Sequence, residues 1–365
     1  MSVSGLYIGL MSGTSLDGVD AAAVEFADSG LRLLGTSFIP YPDALRVALL
    51  ALHDSGTDEL HRAAQLSLQL SRLYAEAVNE LIAKKALKAG DIAAIGCHGQ
   101  TVRHRPELGY TLQLGAPALL AELTSISVVA DFRSRDIAAG GQGAPLVPAF
   151  HAALFSHSER HRAIVNIGGI ANLTDLPAGD PAGASGFDTG PGNLLMDAWA
   201  AKHLGTPCDT GGAWAASGRV VAALLETMLA DPYFALCAPK STGRDHFNFA
   251  WIKSHSLAGL APKDVQATLA ELTARSIVHA VKASNANELW LCGGGAHNSE
   301  LVRRIAAHLP DCPVGSTADL GLDPDWVEAA AFAWLAKQAM AHQSGNLPAV
   351  TGARAPRVLG AIYPG

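Results

Sequence analysis

Residues 6–27, LYIGLMSGTSLDGVDAAAVEFA, restrict the fold more than any other stretch of the chain. The apolar run Leu6 to Leu10 reads as a buried strand and Ser12-Gly13-Thr14-Ser15 as a small polar turn. Val19 to Phe26 then reads as a second apolar strand. A hairpin tipped with Ser, Gly and Thr offers backbone N–H groups and hydroxyls with little side-chain bulk, which suits an anion such as phosphate. The same residues are ordinary turn formers, so this hairpin alone leaves both readings open.

The motif recurs half a chain later. Ala163 to Ile167 is an apolar strand that ends in Gly168-Gly169, and Ile170 to Leu176 returns as its partner. A third strand, Glu288 to Cys292, runs into Gly293-Gly294-Gly295 and then a helix from Asn298 to His308. Bare backbone at a strand end lets a flat ring or a phosphate approach closely, or else closes a turn for packing. Three such placements together favour the ligand reading. No cluster fits GxxxxGK[ST], or GxGxxG after a strand, so neither a P-loop nor a dinucleotide fold is expected.

Between these landmarks the periodicity predicts a strand at 30–39, helices at 42–53 and 57–85, and strands at 92–97, 110–114 and 126–130. Residues 133–145 read as a polar loop, followed by a helix from Pro145. Further helices are expected at 194–203, 218–230, 262–284 and 326–341. A chain of 365 residues, 49% hydrophobic, is long enough for two cores. Two mixed α/β units that open alike suggest a pseudo-duplicated arrangement. The first unit would be 1–145 completed by 326–365, and the second 146–325.

Charge and cysteine content narrow the function. Thirty-three acidic residues against 26 basic, with no basic block, argue against nucleic acid as the main partner. Five cysteines without a CxxC pair suit a reducing compartment without structural zinc. No apolar run approaches the ~20 residues needed to span a bilayer, and the first residues lack a signal-peptide pattern. A cytoplasmic protein with no membrane partner is expected. Apolar helix faces in the second unit would allow a homodimer.

Two glycine-tipped hairpins and a glycine-rich strand-to-helix turn resemble the sugar kinase, Hsp70 and actin superfamily. IGLMSGTSLDGVD at 8–20, GCHGQTVRH at 96–104, LQLG at 112–115 and VVADFRSRDIAAGGQGAPLVPAFH at 128–151 narrow the match. NIGGIANLT at 166–174, FDTGPGN at 187–193 and CGGGAHN at 292–298 follow in order. Together, along essentially the whole chain, they are similar to the anhydro-N-acetylmuramic acid kinases, with MSGTSLDG and DTGPGN specific to that family.

The resemblance implies a two-lobed actin-like ATPase (ribonuclease H-like) fold with a central cleft, joined by helices at about 145–157 and 326–341. It implies that water opens the 1,6-anhydro bond of the sugar while the freed 6-oxygen takes the γ-phosphate of ATP, giving N-acetylmuramic acid 6-phosphate and ADP in cell-wall recycling. Asp188, beside the stiff Thr189-Gly190-Pro191-Gly192 run, becomes the general base; a helix N-cap is its structural alternative. ATP contacts fall on Gly13, Thr14, Ser15, Leu16, Asp17, Gly18, Val19 and Asp20. Gly168, Gly169, Gly190, Gly293, Gly294, Gly295 and Asn298 complete that set. Mg²⁺ is expected with the nucleotide. Met11 takes the register where many superfamily members carry an Asp, so Asp17 is either a metal partner or a turn former.

The sugar's lactyl carboxylate and N-acetyl group call for a cation and amide-type partners. Arg133, Arg135, Asp136 and Gln100 are the candidates, each with a surface or loop-stabilising alternative. His98 reads equally as a core histidine or a ligand, and Glu328 either lines the cleft or faces water. Two other functions fit the same scaffold. A non-catalytic ATP clamp would call for appended partner-binding domains or long inserts, which are lacking here, and a hexose or polyol kinase would leave MSGTSLDG unexplained.

Overall fold

The computed structural model describes residues 5–13, 15–27, 30–238 and 240–365. The chain divides into two compact units, Met1–Phe150 with Trp326–Gly365, and His151–Asp325.

In the first unit, β1 (Gly5–Met11) pairs antiparallel with β2 (Gly18–Ala27), and β2 with β3 (Gly30–Pro40). On the other side of β1 lies β4 (Ile92–Cys97), parallel to it. β5 (Gln100–Arg105) and β6 (Tyr110–Leu114) form a separate two-stranded ribbon. β7 (Val128–Ala130) continues the main sheet parallel to β4, and the C-terminal strand Ala361–Tyr363 closes its edge. The Glu59–Lys85 helix buries Leu66, Leu70, Tyr74, Val78 and Leu81 along one face, the spacing a helical stripe requires. They pack with Ile8, Leu10, Val19 and Ile95 into the core of this unit.

The Val327–Met340 helix covers the sheet from its other face and is alanine-rich for a steric reason. A Cβ at Gly9 would overlap the Ala329 carbonyl, and one at Gly96 the Phe332 carbonyl. Helix and strand backbones therefore touch directly, which only small residues allow.

The second unit repeats the plan. β8 (Arg162–Ile167) pairs antiparallel with β9 (Ile170–Leu176), and β9 with β10 (Ser185–Pro191). β11 (Glu288–Cys292) lies parallel to β8, and β12 (Val314–Ser316) parallel to β11. The central Pro262–Ser284 helix is buried nearly all round and packs Leu269, Leu272 and Ile277 with Val165, Leu289 and Leu291. Each main sheet thus holds its first five strands in the order 3-2-1-4-5, with the first three antiparallel and the rest parallel. This is the ribonuclease H-like arrangement, present twice. Among the described residues no helix is long and apolar enough to cross a membrane.

Three local expectations are corrected. Residues 133–145 are not all loop, because Phe132–Ala138 is a helix. Its anchors are Phe132, Ile137 and Asp136, and a buried aspartate reads as polar in sequence. The stiff run beside Asp188, which by its Thr, Gly and Pro content reads as a loop, belongs with Asp188 to strand β10 as far as Pro191, and the strand carries a bulge between Asp188 and Gly190. β5 was not expected as a strand, since Gln100 to Arg105 contains a single apolar residue, Val102.

Candidate active site

In the first unit the β1–β2 turn is suspended by its carbonyl groups. His98 Nδ1 lies 3.1 Å from the Ser12 carbonyl, and Gln100 Nε2 donates to the Gly13 carbonyl at 3.0 Å. The Ser12 hydroxyl donates to the Gly99 carbonyl at 2.9 Å and lies 2.8 Å from the Tyr74 hydroxyl. The Tyr41 hydroxyl extends this buried group toward Tyr74 and Gln100. Carbonyls held inward turn the intervening peptide toward solvent, the polarity an anion site needs. Asp17 shapes the same turn: Oδ1 accepts from the Ser15 hydroxyl at 2.7 Å and from the Gly18 N–H at 3.0 Å. Thr14 lies outside the described residues. Leu16 and Val19 are buried in the core. Gly18 is glycine because a Cβ there would overlap Phe38 and the Ile39 carbonyl. The Leu16 and Val19 side chains therefore serve packing, and Gly18 lets the neighbouring strand approach; only their backbone is left to meet a nucleotide. Asp20 pairs across the hairpin with Met11.

Behind the turn lie the sugar-side candidates. Arg133 Nη2 and Nε lie 2.8 and 3.2 Å from His98 Nε2, and Nη1 donates to the Gly143 carbonyl at 2.8 Å. Burial lowers the Arg133 pKa to about 10, against the pull of Glu328 and Asp136. Burial raises the Glu328 carboxyl, Arg133 draws it back down, and Asp17 pushes it up further. Glu328 is thus half-buried and electrostatically linked to both Arg133 and the turn, not free in water.

Two sugar-side expectations change. Asp136 is fully buried and accepts from the Gly143 N–H at 2.8 Å, Asn346 Nδ2 at 2.6 Å and the Thr351 hydroxyl at 2.7 Å. It anchors the segment after its helix and has no surface for a ligand. Gln100 is likewise fully buried and holds the turn, not a sugar. Arg135 is exposed and lines a surface depression with Asp131, Ser134 and Gly360, sharing no lining residue with the His98–Arg133 group.

In the second unit the Gly168 and Gly169 carbonyls accept from the N–H groups of Gly192, Asn193 and Leu194. The β8–β9 turn is thereby seated on the start of the Leu194–Leu204 helix, with Gly169 exposed. The β10 bulge leaves Thr189 as the extra residue, its hydroxyl donating to the Ala171 carbonyl at 3.2 Å. Bulges of this kind re-aim side chains beside active sites. Gly190 has φ +150°, and a Cβ there would overlap Phe234, so both the backbone and the packing call for glycine.

Asp188 is held from three directions. Its N–H donates to the Lys240 carbonyl at 3.1 Å, its carbonyl accepts from the Tyr233 hydroxyl at 2.6 Å, and Oδ2 accepts from the Thr242 N–H at 3.0 Å. It caps no helix. Burial raises its pKa to about 6, with the Thr242 N–H pulling the other way. Such a carboxylate is ionised at neutral pH yet basic enough to take a proton. Sequence reasoning missed Tyr233, Lys240 and Thr242. The run Lys240-Ser241-Thr242-Gly243-Arg244, small, polar and basic, was the available signal.

The three glycines after β11 have different reasons. A Cβ at Gly293 (φ +76°) would overlap Asn166, and one at Gly295 would overlap Ile167. Gly294 is exposed, with nothing within 4 Å, and presents open backbone. Asn298 caps the Ser299–His308 helix, Oδ1 accepting from the Leu301 N–H at 3.0 Å. Among the described residues no group of three or more His, Cys, Asp or Glu could hold a metal ion.

Two ribonuclease H-like units, each carrying a glycine turn between its first two strands, define an actin-like ATPase fold of the sugar kinase superfamily. A solved structure, component A of the (R)-2-hydroxyglutaryl-CoA dehydratase of Acidaminococcus fermentans, shares that fold with a TM-score of 0.51 at 14% identity, covering 93% of this chain and 100% of that one. The chain belongs to the anhydro-N-acetylmuramic acid kinase family, which it matches over residues 5–365. Relatives of that name from Nitrosomonas europaea and Thiobacillus denitrificans are 56% and 58% identical to it. The alignments cover 98% of this chain in both cases, and 99% and 97% of the relatives.

Proposed function

We propose that this chain is an ATP-dependent kinase that opens the anhydro bridge of 1,6-anhydro-N-acetylmuramic acid and phosphorylates O6. The half-buried Asp188 carboxylate, held by Thr242 with a pKa of about 6, carries this reading. Asp188 takes a proton from water as the water oxygen bonds to C1. The C1–O6 bond breaks and O6 bonds to the γ-phosphorus. The bond from phosphorus to the bridging oxygen then breaks, releasing ADP. One oxygen is thus both the leaving group of the sugar and the acceptor of the phosphoryl group.

Phosphoryl transfer rests on positioning and charge neutralisation more than on covalent chemistry. In the first unit, residues 13–15 receive phosphate oxygens. In the second, the exposed Gly169 backbone does the same and Gly294 admits the adenosine. Arg133 faces the lactyl carboxylate and Glu328 accepts from sugar hydroxyls. Mg²⁺ suits this turn, since such ions need one or two carboxylates besides the phosphates, and Asp17 and Glu328 are the carboxylates near enough to influence each other. When bound it would neutralise phosphate charge. Five free thiols suit the reducing cytoplasm, where ATP is available.

The test is ADP release with ATP, Mg²⁺ and the anhydro sugar, compared with a panel of hexoses. Release with the anhydro sugar alone is expected, and ¹⁸O from labelled water should enter the C1 hydroxyl and not the phosphate ester. Release with hexoses and not with the anhydro sugar would replace this reading with that of another sugar kinase.

A further inference from the structure

The His98 imidazole touches both halves of the machinery in the first unit. A carbonyl only accepts, so the Nδ1 atom 3.1 Å from the Ser12 oxygen carries the ring proton. Nε2 then holds a lone pair, and Arg133 donates to it through Nη2 at 2.8 Å and Nε at 3.2 Å. Phe332 packs on the ring with centroids 4.7 Å apart. Both nitrogens are spent on protein groups, and the side chain is buried.

We propose that His98 is a positioning residue that sets the phosphate turn with one nitrogen and the sugar-side guanidinium with the other. The inference rests on the function proposed above and goes beyond it by giving a role to a side chain that touches neither ligand. Through Nδ1–H it keeps the Ser12 carbonyl inward, so that the peptide following Ser12 presents its N–H to a phosphate. Through Nε2 it aligns the Arg133 fork, whose other arm is fixed by the Gly143 carbonyl. The task requires a neutral ring in a single tautomer. Burial and the adjacent Arg133 charge lower the His98 pKa to about 3, which keeps it neutral at every working pH.

The two nitrogens can be tested separately. An asparagine amide reaches about as far as Nδ1, and a glutamine amide about as far as Nε2. His98→Asn should bind a non-hydrolysable ATP analogue within about twofold of wild type and bind 1,6-anhydro-N-acetylmuramic acid about tenfold more weakly, the effect of one lost buried hydrogen bond. His98→Gln should show the reverse, with KM for each substrate following its Kd. Equal weakening of both ligands in both variants, or no weakening in either, would reduce His98 to a core residue and overturn the proposal. The wild-type protein supplies a second test that needs no variant. The ¹⁵N resonances of His98 should report the Nδ1–H tautomer without titration between pH 5 and 9, and should move on addition of either ligand alone. A ring that titrates near its ordinary value, or carries its proton on Nε2, overturns the proposal as well. Loss of wild-type ADP release with the anhydro sugar would instead strike the proposed reaction, so the two failures are distinguishable.

Discussion

Replacing Asp188 by Asn should make the protein more stable and nearly inactive at once. The carboxyl is displaced from its ordinary 3.8 to about 6 by burial. Its ionisation therefore costs the folded state up to about 3 kcal/mol at neutral pH. An asparagine has the same shape, its Oδ1 can accept the Thr242 N–H in place of the carboxylate, and it carries no charge to desolvate. The sign follows from proton linkage. Above about pH 6 the folded wild type bears the full cost, and between pH 6 and 3.8 the cost falls as the native carboxyl protonates first. Below 3.8 both states are neutral and the cost is gone. The Asn variant should thus melt several degrees above wild type at pH 8, and the gap should close toward pH 4. Its kcat should fall by about 10² to 10⁴, the usual contribution of a general base. Wild-type kcat/KM should rise with pH up to about 6 and then level off, since it reports the free enzyme's base. The assay is a thermal melt of both proteins at pH 4, 6 and 8 beside ADP release. A variant that melts below wild type at pH 8 would refute the desolvated-base argument, and near wild-type turnover would remove Asp188 as base.

Two further outcomes follow from the geometry. Gly295→Ala should lower the melting temperature because its Cβ meets Ile167, whereas Gly294→Ala, with open space at Cβ, should melt like wild type and raise KM for ATP severalfold; equal melts for the two would contradict the packing argument. Asp136→Ala strands the Gly143 N–H, Asn346 Nδ2 and the Thr351 hydroxyl in a buried site, at about 1–3 kcal/mol per stranded group. Denaturant unfolding should register a loss of several kcal/mol, and a change below 1 kcal/mol would mean that water replaces the carboxylate.

Much of the fold was legible in the sequence because β1, β2, β4, β8, β9 and β11 are largely apolar runs, and β1, β8 and β11 lead straight into Ser or Gly; buried strands have few other appearances. What escaped had polar residues in buried places. The Phe132–Ala138 helix was hidden by Asp136, whose partners Asn346 and Thr351 lie more than two hundred residues away in sequence. β5 and β10 were hidden because Gln100 and Asp188 interrupt the hydrophobic pattern at the positions where each side chain has a task. The site was legible as a set of turns and less so as a set of contacts. Tyr74 reaches Ser12 across 62 positions, and Thr242 reaches Asp188 across 54. No local pattern announces either pair. The glycines divide in the same way. Sequence groups Gly293, Gly294 and Gly295 together, and only the neighbouring strand separates the two that fit against it from the one left open.

The direct contact of backbone with backbone at Gly9 and Gly96 has a mechanical consequence. With no side-chain layer to yield, the Val327–Met340 helix cannot slide or roll on β1 and β4 without atomic collision. Glu328 in its first turn and Ser12 just past the end of β1 therefore travel as one stiff piece. Selection acting on substrate preference could not move that carboxylate relative to the loop by easing the helix along; it would have to exchange the side chain itself.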